Sequence, residues 1–226
     1  METLAFALEY VQQGISVIPL KPGTKIPLLG SWEPYQRKLA PNEQIEVWFS
    51  NGHAENNIAI VAGKISHIIA FDIDGEEAST HFNKAIESLD DEGLKTALKE
   101  TMRIRTANGN TNIVIGFKEE EFTYHDDKLI ANCVLWTSGK HNEIRVKGEG
   151  GYVVAAPSVL INGNRYQIIN GISTVAILSK SQINTLISAI QKQTQLTINN
   201  WGASTGPSNR DLNEEDIHKI IAKLKP

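Results

Sequence analysis

The stretch His67–Gly75, HIIAFDIDG, ends an apolar run with two carboxylates one residue apart. In a strand, successive side chains alternate faces, so Asp72 and Asp74 project from the same side. Their charges repel at short range, and keeping both ionised in a partly dry place is costly. A divalent cation offsets that cost, because hard cations such as Mg²⁺ take carboxylate oxygens and keep positions open for substrate phosphates. The plainer alternative is a strand end running into an Asp-Gly turn.

The surrounding pattern sets the fold class. Leu4, Leu8 and Val11 follow helical spacing that Gly14 ends, and ISVIPL then reads as a strand. KPGTKIPLLGSW is a loop rich in Pro and Gly, and Asn42 is placed to cap a short helix carrying Ile45, Trp48 and Phe49. NIAIV and HIIAF are short apolar strands separated by a Gly-Lys turn; Ala78, Phe82, Ile86 and Leu89 then mark an amphipathic helix. MRIRT and NIVIGF read as a strand pair joined by ANGNT, and NEIRV, GYVVAA and RYQII add strands. Ile183, Leu186, Ile187 and Ile190 form another helix face. Strands and helices are mixed, with many short turns, which predicts an α+β fold rather than a regular alternation. TINNWGASTGPSNRD is polar and reads as a linker, and Asn213 can cap a last helix with Ile217, Ile220, Ile221 and Leu224 on one face. The expected organisation is a main domain over residues 1–195, a linker over 196–212, and the start of a C-terminal helical region over 213–226, as in a fragment of a longer protein.

Composition then removes several classes of function. The single cysteine, Cys133, excludes a disulfide framework and a multi-cysteine zinc site, so no zinc is expected. No apolar run is long enough to span a bilayer, and the N-terminus METLAFALEYVQQG lacks the basic start and cleavage site of a signal peptide. A cytoplasmic chain without a membrane partner is expected. The formal net charge of −4 argues against a nonspecific coat of polyanion.

Four features carry chemistry. Asp72 and Asp74 are the first. In RTANGNTNIVIGF, a Gly- and Asn-rich loop opens a strand, and such loops can present backbone N–H groups to phosphate oxygens. In NEIRVKGEGGYVVAAPS, Glu143, Arg145 and Lys147 alternate along a strand and share one face, offering a third carboxylate and two cations. KPGTKIP, near Trp32, is a basic loop fixed by proline. Each has a plainer reading: a hairpin turn, a solvated strand face, a surface loop. The six histidines show no pair at metal-ligand spacing.

Taken in order, GISVIPLKPGTKIPLLGSW, NIAIVAGKISHIIAFDIDG, RTANGNTNIVIGF and NEIRVKGEGGYVVAAPS resemble the primase–polymerase domain of the archaeo-eukaryotic primase superfamily. They look most like the bifunctional primase/polymerase domains at the N-termini of archaeal plasmid and phage replication proteins. The resemblance implies an RRM-like catalytic sheet packed with a smaller N-terminal α/β unit. It implies an enzyme: a DNA primase or DNA-directed polymerase performing templated nucleotidyl transfer in plasmid or viral replication, with two Mg²⁺ or Mn²⁺ ions. It implies single-stranded DNA template, primer and NTP or dNTP as partners, and a helicase domain in a longer parent chain. Asp72 and Asp74 match the family's first motif and Glu143 its third, as catalytic metal ligands. Its second motif, usually Ser, a Gly pair and then His, falls on Asn108, Gly109, Asn110 and Asn112 as nucleotide-binding residues, joined by Arg145 and Lys147. Asn112 departs from the pattern: a neutral amide replaces a charged donor, which weakens phosphate binding by about 1–2 kcal/mol. Two other readings remain. The domain binds nucleotide or nucleic acid with weak or no turnover. Or FDIDG is the first motif of a haloacid-dehalogenase-type phosphatase, which calls for a parallel-sheet core and for Thr or Val near the position of Glu76.

Overall fold

The computed structural model describes residues 2–50, 52–122 and 130–200, with side chains as far as residue 192. Its elements run α1 (Glu2–Gln12), β1 (Val17–Leu20), α2 (Asn42–Phe49), β2 (Asn57–Val61), β3 (Ile68–Asp74), α3 (Glu76–Glu87), α4 (Glu92–Glu100), β4 (Arg103–Arg105) and β5 (Thr111–Phe117). They continue with β6 (Cys133–Ser138), β7 (Asn142–Lys147), β8 (Tyr152–Ala155), β9 (Gln167–Ile168), β10 (Ala176–Leu178) and α5 (Lys180–Asn200). A small sheet has the order β1-β2-β8; a larger one has the order β6-β7-β3-β5-β4-β9, with β10 beside β5. The pair β10–β5 is parallel and the pairs along both sheet orders are antiparallel. The expected α+β class is therefore observed.

The alternation along β3 generates the layers. Ile69, Phe71 and Ile73 point into a core with Phe82 and Ile86 of α3, Leu94 and Leu98 of α4, and Ile183, Leu186, Ile187 and Ile190 of α5. Ile68 and Ala70 point the other way, into a core built with β1, β2 and β8 and with Tyr10, Ile45, Trp48 and Phe49 of the first two helices. The large sheet is thus buried on both faces, which is why its strands read as nearly continuous apolar runs. Asp72 and Asp74 continue the second of these faces and are only half-buried.

One antiparallel ribbon joins the sheets. β2 pairs β8 in the small sheet, and β3 pairs β7 in the large one. The chain passes from β2 into β3, and from β7 into β8, at neighbouring points, where Ala62 N–H donates to the Gly151 carbonyl at 2.9 Å. Glycine is required at this crossing: a Cβ on Gly148 would strike the Ile130 carbonyl.

The two expected strands NIAIV and HIIAF form, and they lie in different sheets. Several local expectations change. Pro41, not Asn42, is the N-cap of α2, and Asn42 is its first residue. Helix α4 was not foreseen, although Asp91 caps it by accepting from the Leu94 N–H at 2.9 Å. Strand β6 was also unforeseen; it lies at the sheet edge and shows no clean alternation of burial. RYQII contributes only Gln167 and Ile168 as strand. α5 continues to Asn200, beyond residue 196 where the linker was expected to begin, while residues 201–226, including the expected last helix, lie outside the described residues. Among the described residues no helix is long and apolar enough to cross a membrane.

Phe71 is fully buried and meets Phe82 with ring centroids 5.7 Å apart. Phe71→Ala should destabilise the protein by about 3–5 kcal/mol in a urea titration, a loss of core packing rather than of surface charge.

Candidate active site

Register decides which side chains meet Asp72 and Asp74. β3 runs between β5 and β7, and residues directly opposite one another in an antiparallel pair share a face. Asp72 lies opposite Asn112 on β5 and Arg145 on β7; Asp74 lies opposite Glu143, and Ala70 opposite Lys147. The three acids and the two expected cations of β7 therefore occupy one face of one sheet, with Asn112 beside them.

This face emerges from under the small sheet into a cleft of about 460 Å³. Asp72, Asp74, Asn108, Asn112 and Lys147 line it from the large-sheet side, and Gly150, Gly151 and Tyr152 from the return into the small sheet. The Lys147 Nζ is 3.9 Å from the Asp72 carboxylate. Burial, then the neighbouring Asp74 carboxylate, pushes the Asp72 carboxyl above the usual range; Lys147, Lys25 and Arg145 oppose the rise. Asp74 is held from the other side, where the Asn110 amide donates to its Oδ1 at 2.7 Å.

The turn after β3 is equally determined. Gly75 has φ +97° and ψ 161°, a conformation almost confined to glycine, and a Cβ there would sit 2.5 Å from the His141 carbonyl. Its N–H donates to the Asn110 Oδ1 at 3.1 Å. Asn110 thus uses both ends of its amide to fix the end of β3, a positioning task rather than an open donor for phosphate. Gly109 has φ +86°, and its N–H donates to the Thr106 carbonyl at 2.9 Å, so that donor closes the turn instead of facing a ligand. Asn112 is 3% exposed, and its Oδ1 is buried with no hydrogen-bond partner.

Glu143 and Arg145 are on the predicted face but pair with each other, with the Arg145 Nη2 donating to the Glu143 Oε2 at 2.9 Å. Among the described residues no three His, Cys, Asp or Glu side chains stand together as a group able to hold a metal. Asp72 and Asp74 alone suit Mg²⁺ or Mn²⁺: they are hard oxygen donors on one face, and Mg²⁺ needs only one or two carboxylates when waters and substrate phosphates complete its shell. The two like charges on one face of this half-buried pair are the observation that fits a cation.

Lys25, Thr106, Asn132, Gly150, Gly151, Tyr152 and Tyr166 also line the cleft. Lys25, Thr106, Gly150, Gly151 and Tyr152 fall inside the stretches that carry the sequence signal and Tyr166 inside the expected strand RYQII, whereas Asn132 comes from a segment without a recognisable pattern. β3 is antiparallel to both neighbours, which removes the parallel core that a haloacid-dehalogenase-type phosphatase needs.

Residues 7–181 match the sequence model of a family described as bifunctional DNA primase/polymerase, N-terminal. No curated protein matches the chain.

The raised Asp72 carboxyl has a consequence for stability. Its folded value lies above its unfolded value, so the folded state carries no penalty below the unfolded value, near pH 4. The penalty grows as pH rises toward the folded value and is complete above it. Asp72→Asn should therefore raise the melting temperature at pH 7 in chelator-treated buffer, and the gain should vanish as pH falls toward 4.

Proposed function

The chain belongs to the bifunctional DNA primase/polymerase family, and from that premise we propose that it performs template-directed nucleotidyl transfer, extending or initiating a DNA primer, in plasmid or viral replication. The observation that carries the reading is the register of β3: it sets Asp72, Asp74, Asn112 and Lys147 together at a cleft of nucleotide size, with Glu143 and Arg145 on the same sheet face but outside the cleft lining. The strand order β7-β3-β5-β4, antiparallel throughout, supports an RRM-like reading of the catalytic sheet.

In this reading Asp72 and Asp74 would hold the divalent cations, and Glu143 would join them once released from Arg145. When bound, the cations supply Lewis acidity at the attacking 3′-hydroxyl and at the triphosphate. The remaining work is positioning and neutralisation, as in phosphoryl transfer generally. Lys147 offsets charge at Asp72 and faces the cleft. Arg145 exchanges its Glu143 partner for a phosphate oxygen, leaving the Glu143 carboxylate available. Asn108 and Asn112 offer neutral amides from β5 and the turn before it. Gly150 is exposed and the space at its Cβ position is open, so a ligand can approach the backbone there.

A second reading, nucleotide or nucleic-acid binding without turnover, is favoured by one feature, the closed Glu143–Arg145 pair. Primer extension separates the two. The double variant Asp72→Ala with Asp74→Ala should stay folded and lose extension of a primed template with either Mg²⁺ or Mn²⁺. Extension by this variant at the wild-type rate eliminates the assignment, whereas wild-type protein that binds primer-template but never extends it establishes the binding reading.

Asn112→His offers an independent check. A charged donor in place of the neutral amide should tighten triphosphate binding about tenfold in a calorimetric titration.

A further inference from the structure

The loop KPGTKIP, residues 21–27, is tied to its surroundings at several points. Lys21 N–H donates to the Ile26 carbonyl at 2.8 Å, and Thr24 N–H to the Lys21 carbonyl at 3.1 Å. Asn57 of β2 donates to the Thr24 carbonyl at 2.9 Å, and Ile161 N–H to the Gly23 carbonyl at 3.0 Å. The Tyr152 hydroxyl of β8 donates to the carbonyl of Lys25 itself at 3.1 Å. A loop held this firmly fixes where its side chains leave the backbone, so binding carries no cost for ordering the loop itself. The side chain it presents is Lys25, which lines the same cleft as Asp72 and Asp74 but comes from the small-sheet side.

The two lysines of the cleft differ in what they rest on. Lys147 faces the Asp72 carboxylate at 3.9 Å, so its charge is largely matched. Lys25 stands beside the Tyr166 hydroxyl, a neutral group that lines the same cleft. Tyr166 is only 3% exposed, and its backbone N–H is fixed to the Ser158 carbonyl at 2.8 Å. Lys25 also acts on Asp72, but more weakly than Lys147, so it keeps more of its attraction for an anion, while two carboxylates across the same cleft call for cations of their own. A polyphosphate bridges these needs: its oxygens meet cations at the acids on one side and an ammonium on the other.

We propose that Lys25 binds the polyphosphate tail of the incoming nucleoside triphosphate from the small-sheet side of the cleft, and that Tyr166 is the positioning residue that holds its ammonium there. This rests on the nucleotidyl-transfer reading above. It makes the small sheet part of the nucleotide site rather than only a cover for the large sheet.

The test is calorimetric titration of the full chain with a non-hydrolysable nucleoside triphosphate, a nucleoside monophosphate and a primer-template, each in Mg²⁺. Lys25 is exposed, so its substitution leaves the core intact. Lys25→Ala should weaken the triphosphate about tenfold and leave the monophosphate and primer-template within about twofold. Lys25→Arg should retain most of the affinity. Tyr166→Phe should weaken the triphosphate about threefold in the wild-type background and have no further effect on it in Lys25→Ala, because it acts through Lys25. In steady-state extension the Lys25 effect should appear in KM for nucleotide more than in kcat. Unchanged triphosphate affinity in Lys25→Ala, with binding by the wild type intact, overturns the Lys25 assignment and leaves nucleotidyl transfer standing. Equal losses for triphosphate and primer-template place Lys25 on nucleic acid and also overturn it. Wild-type protein that binds no triphosphate overturns both readings.

Discussion

Two like charges on the same face of a half-buried strand repel each other, and the structure around β3 is arranged about that repulsion. Asp72 is the deeper of the conflicts: burial and Asp74 both disfavour its charge, and Lys147, Lys25 and Arg145 counter them from β7 and from the small-sheet loop. Asp74 has an amide donor from Asn110. Gly75 ends the strand immediately afterward in a conformation that other residues avoid, so the pair cannot slide along the sheet edge. A fold that relaxed this strain would replace one aspartate with a neutral residue. Retaining both is stability given up at the candidate site.

The same alternation that puts the acids together also defines the layers. Odd-numbered residues of β3 from Ile69 to Ile73 seat α3, α4 and α5, and even-numbered ones from Ile68 seat the small sheet until the acids begin. The cleft opens where apolar side chains on that face give way to charged ones. Its position is a by-product of where the small sheet stops covering the large one.

Legibility in the sequence followed the range of the interactions. Asp72 and Asp74 were readable because a period of two is local, and Glu143, Arg145 and Lys147 for the same reason. Their placement opposite Asp74, Asp72 and Ala70 depends on strand pairing over about seventy positions, which spacing alone does not encode. The β4–β5 turn was recognised as a turn, yet its donors proved internal: Gly109 closes onto Thr106 and Asn110 turns to Asp74. Hydrogen bonds of this kind depend on which way an amide side chain rotates, and composition is silent on that. Lys25 reaches the cleft because the small sheet is packed over the acids, and Tyr166 because the chain returns to the large sheet at β9. α4 was overlooked although Asp91 and Leu94 carry an ordinary cap signal, and β6 because an edge strand exposes both faces in part.

The ribbon that crosses between the sheets has a wider implication. β2–β3 and β7–β8 are each one continuous path serving two cores, so neither core holds a complete set of strands on its own. Melting one layer strips the other of its central pair, which makes the domain a single cooperative folding unit rather than two modules in tandem. Evolution can lengthen the surface loops freely, but it cannot detach the small sheet or exchange it for another without dismantling the strands that carry the acids.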